Sequence, residues 1–328
     1  MIRDLTITQE DLDSLLPYYS NPASNLNWNL VFTLPAWLRV WWNNFGSTAE
    51  LYIRTVRQKD EIIGIAPLQI RNDTASIIGS TDVCDYQDFI LAPGQEKDFF
   101  NIILDDLRHK GIRHLNLETV RPDSTVVTHL IPIARERGYQ VEQHQVDVSS
   151  DFDLPRSWDD YLKILDSKQR HEIRRKMRNF QEAGETGYRT IADKSAIPQA
   201  IDTFLHLFPE ARGDKAQFMT GEMQTYFRSL SQTLAETGVM RFGVLEAFGK
   251  PAAMVMYFDY NDNVYLYNSA YDPDYKSMSV GIISKARCIQ DSLERGKKKF
   301  DFLKGSEQYK YYLGGKEIPL YCCQITLP

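Results

Sequence analysis

Three residues near the C-terminus combine the side chains that proton transfer requires. Glu307, Tyr309 and Lys310 follow a short apolar run typical of a strand and a turn at Gly305. A carboxylate accepts a proton, a phenol donates one, and an ammonium group stabilises developing negative charge, so we take these three as candidate catalytic residues. The alternative to a catalytic role is an ordinary surface helix in which Glu307 and Lys310 form an ion pair.

A second group of polar residues opens a predicted helix. Apolar residues recur at helical spacing at positions 282, 286, 289 and 293, and the turn before them is rich in Lys, Ser and Gly. Backbone N–H groups and the positive end of the helix dipole favour a phosphate at such a turn, although a serine there is also a common helix cap. The candidate cofactor-binding residues are Lys276, Ser277, Ser279, Val280 and Gly281. The corresponding turn of the first half, residues 93–98, carries two carboxylates that would repel a phosphate.

A basic run provides candidate substrate-binding residues. Residues 168–178 hold six Lys or Arg and one Glu, a local charge of +5 in a chain whose net charge is −6. This pattern predicts a helix that ends at Gly184, with either a solvated basic face or a grip on phosphate groups of a ligand or of an anionic lipid surface. Arg170 and Arg174 are the preferred pair, and His206, which lies in an apolar segment, is either a third candidate or a packed histidine.

Composition limits the classes of protein that remain. A length of 328 residues, with 43% hydrophobic and 25% charged residues, predicts two folded domains. The net charge of −6 argues against DNA binding, and no run of about 18 apolar residues is present to span a bilayer, so we expect a cytoplasmic protein without a transmembrane segment. The four cysteines lack the spacing of a metal site and are expected to be buried thiols. The sequence sets no oligomeric state.

The order of predicted elements repeats along the chain. A polar segment at 147–155, before a helix capped by Ser157, places a boundary near residue 150 and predicts domains 1–150 and 151–328. Strand–turn–strand patterns at 51–68 and 241–258 are each followed later by a helix, a glycine and a strand. Two glycine pairs, Gly64 with Gly249 and Gly111 with Gly296, are 185 residues apart in both cases. We therefore predict a duplication of an α/β (α+β) fold.

Several motifs together resemble a known family. Residues 271–273, 279–281 and above all 300–310, which read Phe-Asp-Phe-Leu-Lys-Gly-Ser-Glu-Gln-Tyr-Lys, resemble the GNAT-like acetyltransferases associated with bacterial cellulose biosynthesis. These are relatives of the Fem-type aminoacyl transferases. Weaker matches lie at 32–38, 63–68, 167–170 and 174–176.

The resemblance implies a fold and an activity. It implies tandem GNAT-like domains, each a mixed, mostly antiparallel sheet flanked by helices, with the acyl-donor site in the second. The activity would be direct transfer of an acyl group from acetyl-CoA or another acyl-CoA to an amine or hydroxyl of a small-molecule acceptor, such as a sugar, an amino acid or an envelope precursor. Residues 279–281 would lie near the pyrophosphate of the donor, with Val280 in place of an expected proline.

In such a reaction each candidate catalytic residue has a role. Glu307 would act as base, directly or through water, Tyr309 would donate a proton to the leaving thiolate, and Lys310 would stabilise negative charge. Two other functions stay open. One is a Fem-like transferase that uses aminoacyl-tRNA, for which the helix predicted at 168–182 looks too short to be the coiled-coil arm. The other is an inactive GNAT-like scaffold in polysaccharide synthesis.

Overall fold

The computed structural model describes residues 5–211 and 218–328. The chain divides into two compact units, one formed by Met1–Val148 with Ile318–Pro328 and the other by Ser149–Glu317. This division differs from a single cut near residue 150, because the C-terminal residues belong to the first unit. Among the described residues, no helix combines the length and the apolar character needed to cross a bilayer.

The helices and strands follow one another in this order. The first part of the chain forms β1 (Leu5–Glu10), α1 (Leu15–Ser20), α2 (Pro35–Phe45), β2 (Glu50–Gln58), β3 (Glu61–Arg71), β4 (Thr74–Ile77), β5 (Ile90–Leu91), α3 (Glu96–Lys110), β6 (His114–Val120), α4 (Ile131–Glu136) and β7 (Gln140–Asp153). The rest forms α5 (Trp158–Ile164), α6 (Ser167–Glu182), β8 (Thr186–Ile191), α7 (Ile197–Ala211), α8 (Gly221–Glu236), β9 (Met240–Ala247), β10 (Lys250–Tyr260), β11 (Asn263–Tyr271), α9 (Val280–Glu294), β12 (Lys299–Lys304), α10 (Gln308–Tyr312) and β13 (Lys316–Thr326). Both predicted hairpins are confirmed, as β2–β3 and β9–β10.

The same strand order occurs in both units. In the first unit it is β1-β2-β3-β4-β6-β13, with β5 paired to β3, and only β4 and β6 are parallel. In the second unit it is β8-β9-β10-β11-β12, followed by the 149–153 end of β7, and only β11 and β12 are parallel. The predicted fold class, a mixed and mostly antiparallel sheet flanked by helices in each half, is therefore confirmed.

The duplication extends to an irregular feature of the backbone. Thr119 in β6 and Leu303 in β12 both have positive φ angles, 50° and 61°. Each lies in a stretch where two residues of its strand oppose one of its neighbour, which is the pattern of a β-bulge. A conformation this uncommon for residues other than glycine, at equivalent places in both sheets, supports the predicted duplication.

Only one of the two glycine pairs occupies equivalent positions in the two units. Gly111 and Gly296 both end a helix in the left-handed region, with φ of 85° and 71°. Gly249 occupies the β9–β10 turn with φ of 74°, whereas Gly64 lies inside β3 opposite Val56. The correspondence of Gly64 with Gly249 was therefore wrong, and the equal spacing of that pair was coincidental.

Helices cover both faces of the second-unit sheet. Val255 and Tyr257 of β10 belong to a core cluster with Ala286 and Ile289 of α9. Side chains alternate between the faces of a strand, so the next residue, Phe258, points to the other face, where it packs against Tyr267. Helices α7 and α8 cover that face. The start of α9 is thus fixed at the end of β11 by a packed core.

Candidate functional site

Two parallel strands part in the middle of the second-unit sheet. The ladder between β11 and β12 covers three positions and ends at Tyr265 and Asp301. Strand β11 nevertheless continues to Tyr271 and β12 to Lys304. Ligands of open α/β sheets commonly bind where neighbouring strands part at their carboxyl ends. This point is therefore the candidate centre of the site.

An irregularity in β11 accompanies this separation. Met256 of β10 lies opposite Asn268, whereas the next residue, Tyr257, lies opposite Leu266. One extra residue, Tyr267, is thus accommodated in β11. A bulge bends its strand and increases the local twist, and bulges are frequent beside active sites. In the first unit, the corresponding β3–β4 ladder has a continuous register and β4 ends at Ile77.

The end of β12 is built around a buried carboxylate. Asp301 is 2% exposed, and its Oδ1 accepts a hydrogen bond of 2.7 Å from the backbone N–H of Leu303. This contact stabilises the left-handed conformation of Leu303. The structure therefore gives Asp301 the structural role that a carboxylate in an apolar strand must have, since a buried charge requires partners.

The ammonium group of Lys310 holds the same strand end. Lys310 is 1% exposed, and its Nζ donates to the carbonyl oxygens of Leu303 at 3.0 Å, Lys304 at 2.5 Å and Gly305 at 3.1 Å. The carboxylate of Glu307 lies 3.0 Å away. A lysine has three N–H donors, so these partners account for all of them. The charge-stabilising role of Lys310 in catalysis stays a prediction, and the geometry shows a positioning role.

Glu307 and Tyr309 lie beside Lys310 at the start of α10. The side chain of Glu307 is half exposed. Gly305 has a φ of 112°, a conformation that strains any residue with a Cβ, so the turn before these residues favours glycine. The ring of Tyr309 packs against Phe302 at 6.2 Å between centroids. The structure thus brings the three candidate catalytic residues together at the end of β12.

The predicted phosphate-binding helix begins later than expected. A separate 3-10 turn, Pro273–Met278, precedes it, and Ser279 caps α9 with φ of 60°. The carbonyl of Ser279 accepts from the amides of Ile282 and Ile283, at 3.1 and 3.2 Å. The first two amides of the helix, those of Val280 and Gly281, have no acceptor within the helix, as at any helix start. They and the helix dipole favour an anion there.

The candidate cofactor-binding residues differ in which of their groups are exposed. The side chain of Val280 is fully buried in a core cluster, so only its backbone faces a ligand. Lys276 and Ser277 are exposed on the 3-10 turn. Gly281 is partly exposed, and a Cβ there would lie 3.4 Å from the ring of Tyr271, the last residue of β11. The helix start therefore adjoins the end of the strand that parts from β12.

A cation from the basic run reaches this helix start. Lys176 of α6 donates from Nζ to Ser279 Oγ at 2.9 Å. The side chain of Arg174 is exposed and lies 3.8 Å from Asp159, and Arg170 is half buried. Sequence reasoning preferred Arg170 and Arg174 and missed Lys176. The sequence could have identified Lys176 by its spacing from Ile173 and Phe180, because residues three and four positions apart share one face of a helix.

A second missed residue is a lysine on the packed face of α9. Lys285 is 6% exposed, and its Nζ donates to the carbonyl of Gly281 at 2.8 Å. The same Nζ lies 4.6 Å from the centre of the Tyr309 ring, within the range of a cation–π contact. Lys285 thus connects the candidate phosphate site to a candidate catalytic residue. The sequence feature that could have identified Lys285 is its position next to Ala286, because a charged residue is unusual on the apolar side of a predicted helix.

The equivalent helix start in the first unit is acidic. Helix α3 carries Glu96 and Asp98 in its first turn, as predicted, and Glu96 Oε1 accepts from the amide of Gly94 at 3.1 Å. The first turn of α9 has no acidic residue. This difference confines the candidate phosphate site to the second unit. His206 is exposed on α7, so its interpretation as a packed histidine was wrong, and its role in substrate binding stays a prediction.

The cysteines form no site in the described part of the chain. Cys84, Cys288 and Cys323 are buried, as expected, and Cys322 is partly exposed. Burial raises the pKa of the Cys288 thiol to about 12, which keeps it protonated and unreactive.

Comparison with known proteins places this geometry in context. Residues 167–311 match the model of a protein family described as an acetyltransferase (GNAT) domain. This match indicates an acyltransferase, and its span contains α6, the start of α9 and the residues that follow β12. No curated protein matches the sequence.

Solved structures share the fold over most of the chain. FemX is 11% identical with a TM-score of 0.68, covering 97% of this chain and 96% of its own. A conserved protein of unknown function from Bacteroides thetaiotaomicron is 13% identical with a TM-score of 0.60, covering 98% and 99%. L-PGS from Bacillus licheniformis is 9% identical with a TM-score of 0.53, covering 87% and 90%. At these identities the likeness shows the fold alone.

Proposed function

We propose that the second unit binds an acyl-CoA at residues 279–281 and transfers the acyl group directly to an amine or hydroxyl. The observation that carries this proposal is the start of α9. It combines a left-handed Ser279, two backbone amides without acceptors within the helix, and the ammonium of Lys176 on the serine hydroxyl. The dipole, the amides and the cation together favour a pyrophosphate.

The separation of β11 from β12 supports the same donor. The pantetheine part of coenzyme A carries two amides in an extended chain, and an extended chain of amides can add to a sheet where strands part. The phosphate end would then lie at Gly281, because Gly281 adjoins the last residue of β11. The thioester end would reach the point near Asp301 where the ladder stops.

Direct transfer requires no covalent intermediate with the protein. The acceptor nitrogen or oxygen bonds to the thioester carbonyl carbon, the C–S bond breaks, and the acceptor loses a proton while the thiolate gains one. We assign the first proton to Glu307, directly or through water, and the second to Tyr309. Lys310 and Asp301 hold the strand end on which these residues depend.

The acceptor in this proposal is a sugar, an amino acid or an envelope precursor. The support is the resemblance of residues 300–310 to the cellulose-associated acetyltransferases, which also suggests a place in polysaccharide synthesis. The reaction would take place in the cytoplasm, where acyl-CoA is formed. Arg170, Arg174 and His206 remain the proposed acceptor-binding residues.

Calorimetric titration with acetyl-CoA tests the donor site. We expect saturable binding by the wild-type protein and none by Gly281→Glu, because a carboxylate would occupy the phosphate position. Gly221→Glu is the matched control, since Gly221 is exposed in the first turn of α8 and has no atom within 4 Å of an added Cβ. Equal loss of binding in both variants, or wild-type affinity in Gly281→Glu, would refute the site.

The likeness to FemX favours a second candidate, an aminoacyl-tRNA-dependent transferase. It covers 97% of this chain with a TM-score of 0.68. Against it, α6 packs Phe180 into the core of the second unit, so in the described residues this helix is no projecting arm. Saturable binding of aminoacyl-tRNA without binding of acetyl-CoA at millimolar concentration would favour this candidate. Binding of neither donor would favour an inactive scaffold.

A further inference from the structure

A polar cavity lies in the first unit beside the start of α3. Its volume is about 640 Å³. Its walls come from the end of α1, the loop at residues 21–25, the β2–β3 turn and residues 92–95. Small-molecule sites typically measure about 300 to 1,000 Å³, so the cavity has the size of one or two sugar rings. None of the residues proposed for acyl transfer lines it.

The walls are held in place by their own contacts. Tyr18 Oη accepts from Arg57 Nη2 at 2.9 Å, and the Arg57 guanidinium lies 5.4 Å from the centre of the Tyr18 ring. Asn21 Oδ1 accepts from the amide of Ala23 at 3.0 Å, and Ser24 Oγ accepts from the amide of Leu26 at 3.3 Å. These bonds join residues of the chain to one another. The cavity is therefore preorganised, which lowers the entropy lost on binding.

The lining offers paired donors and acceptors. The side-chain amides of Asn25 and Gln95 each provide an oxygen acceptor and an NH₂ donor, and Ser24 adds a hydroxyl. Within residues 5–211 and 218–328, Gln95 Oε1 is a buried atom without a hydrogen-bond partner. A buried acceptor without a partner costs stability, and a hydroxyl donated to it would remove that cost.

The charge of the lining selects among polar ligands. Asp60 of the β2–β3 turn and Glu61, the first residue of β3, line the cavity, and the single cation in the lining is Arg57. The hydroxyl of Tyr18 stays protonated, because burial and then the nearby Glu10 carboxylate raise its pKa. Two carboxylates against one guanidinium disfavour an anion and tolerate a neutral or cationic group.

We propose that this cavity binds a saccharide, either uncharged or amine-bearing, and excludes phosphorylated sugars. Hydroxyls of a sugar ring are both donors and acceptors, which matches the amides of Asn25 and Gln95. The ring of Tyr18 supplies an amphipathic surface of the kind that an aliphatic sugar face contacts.

The internal duplication shows how this specificity differs from that of the second unit. The β2–β3 turn and the start of α3 occupy the places that the β9–β10 turn and the start of α9 occupy in the other sheet. One copy is acidic, with Asp60, Glu61 and Glu96, and the other has Lys176 on its helix cap. The two copies have thus diverged toward opposite ligand charge.

Calorimetric titration with N-acetylglucosamine, glucosamine and glucose 6-phosphate tests the inference. We expect saturable binding of the first two and none of the third. Ala23→Trp should weaken binding at least about tenfold, because Ala23 lines the cavity and the indole would fill it. Thr48→Trp, at an exposed position outside the lining, is the matched control and should bind as the wild type does.

Three results would overturn the proposal. They are no saturable binding of either unphosphorylated sugar at tens of millimolar, equal affinity in Ala23→Trp and Thr48→Trp, and tighter binding of glucose 6-phosphate than of glucosamine. Saccharide binding here is separable from donor binding in the second unit. Ala23→Trp should keep the wild-type affinity for acetyl-CoA, and loss of acetyl-CoA binding in Gly281→Glu would leave saccharide binding unchanged.

Discussion

A buried lysine determines the shape of the backbone after β12. The Nζ of Lys310 binds three successive carbonyl groups and lies beside Glu307, at a side-chain exposure of 2%. The backbone turns here through Leu303 and Gly305, which both have positive φ, and β12 ends at Lys304. A buried carbonyl without a partner costs about 1 to 3 kcal/mol. Lys310 supplies those partners, which gives this buried ammonium a structural role.

This role predicts a large effect of Lys310 on stability. Lys310→Met should lower the free energy of unfolding by about 3 to 5 kcal/mol, as expected when one partner of a buried polar cluster is removed. Glu307→Gln should cost less than about 1 kcal/mol, because half of that side chain is in water. Chemical denaturation measures both, with Lys316→Met at an exposed position as the control. A loss in Lys310→Met no larger than in Lys316→Met would contradict the holding role and make the ammonium a candidate for catalysis again.

At the scale of the element, α6 places a cation at the start of α9. The helix begins in a capping box, in which Asp166 accepts from the amide of Gln169 and the Gln169 side chain accepts from the amide of Asp166. Ile173 and Phe180 pack into the core. Lys176, between them on the inner side, is therefore directed to Ser279, and its Nζ also lies 3.5 Å from the Glu172 carboxylate of the same helix.

Two lysines of α6 should differ in their effect on donor binding. Lys176→Ala should weaken acetyl-CoA binding about tenfold, since a hydrogen bond to a charged group contributes about 1.5 to 3 kcal/mol and 1.4 kcal/mol corresponds to a factor of ten. Lys168→Ala removes the same charge from an exposed position at the start of the helix and should change the affinity less than about twofold. Calorimetry under identical salt conditions measures both. Equal weakening would mean that the basic run acts only through its total charge.

At the scale of the whole molecule, the last strand belongs to the first unit. Residues Ile318–Pro328 are grouped with Met1–Val148, and β13 pairs antiparallel with β6. Cys323, Ile325 and Leu327 are buried in the same cluster as residues of β2, β3 and α3. The core of the first unit therefore includes residues from both ends of the described chain.

This topology predicts where a C-terminal substitution acts. Ile325→Ala should destabilise the first unit by about 2 to 5 kcal/mol, the usual cost of emptying a fully buried aliphatic site. Hydrogen exchange followed by mass spectrometry should show faster exchange in β6 and α3, and little change in β9 and β10. Thr326→Ala, at the adjacent position on the other face of the strand, is the control. Faster exchange in β9 and β10 instead would show that the strand stabilises the second unit.

The sequence by itself determined the local elements and the contrast between the two halves. Alternating and helical periodicities located both hairpins, Ser157 was correctly read as a helix cap, and the carboxylates of 93–98 correctly marked an acidic helix start. Such features depend on residues a few positions apart, so the pattern that encodes them is contiguous. The repeated pattern also predicted that both halves share one fold, whereas the order of the strands came from the structure.

Only the tertiary structure decided which residues meet. Lys176 and Ser279 are 103 positions apart, and the charge pattern of the basic run does not separate Lys176 from its neighbours. Three further features also depend on how segments are brought together. They are the hydrogen bonds that occupy the Lys310 ammonium, the assignment of β13 to the first unit, and the different positions of Gly64 and Gly249 in their sheets. Contacts between residues distant in sequence depend on the topology of the fold and on the direction of the side chains. Periodicity along the chain predicts neither of these.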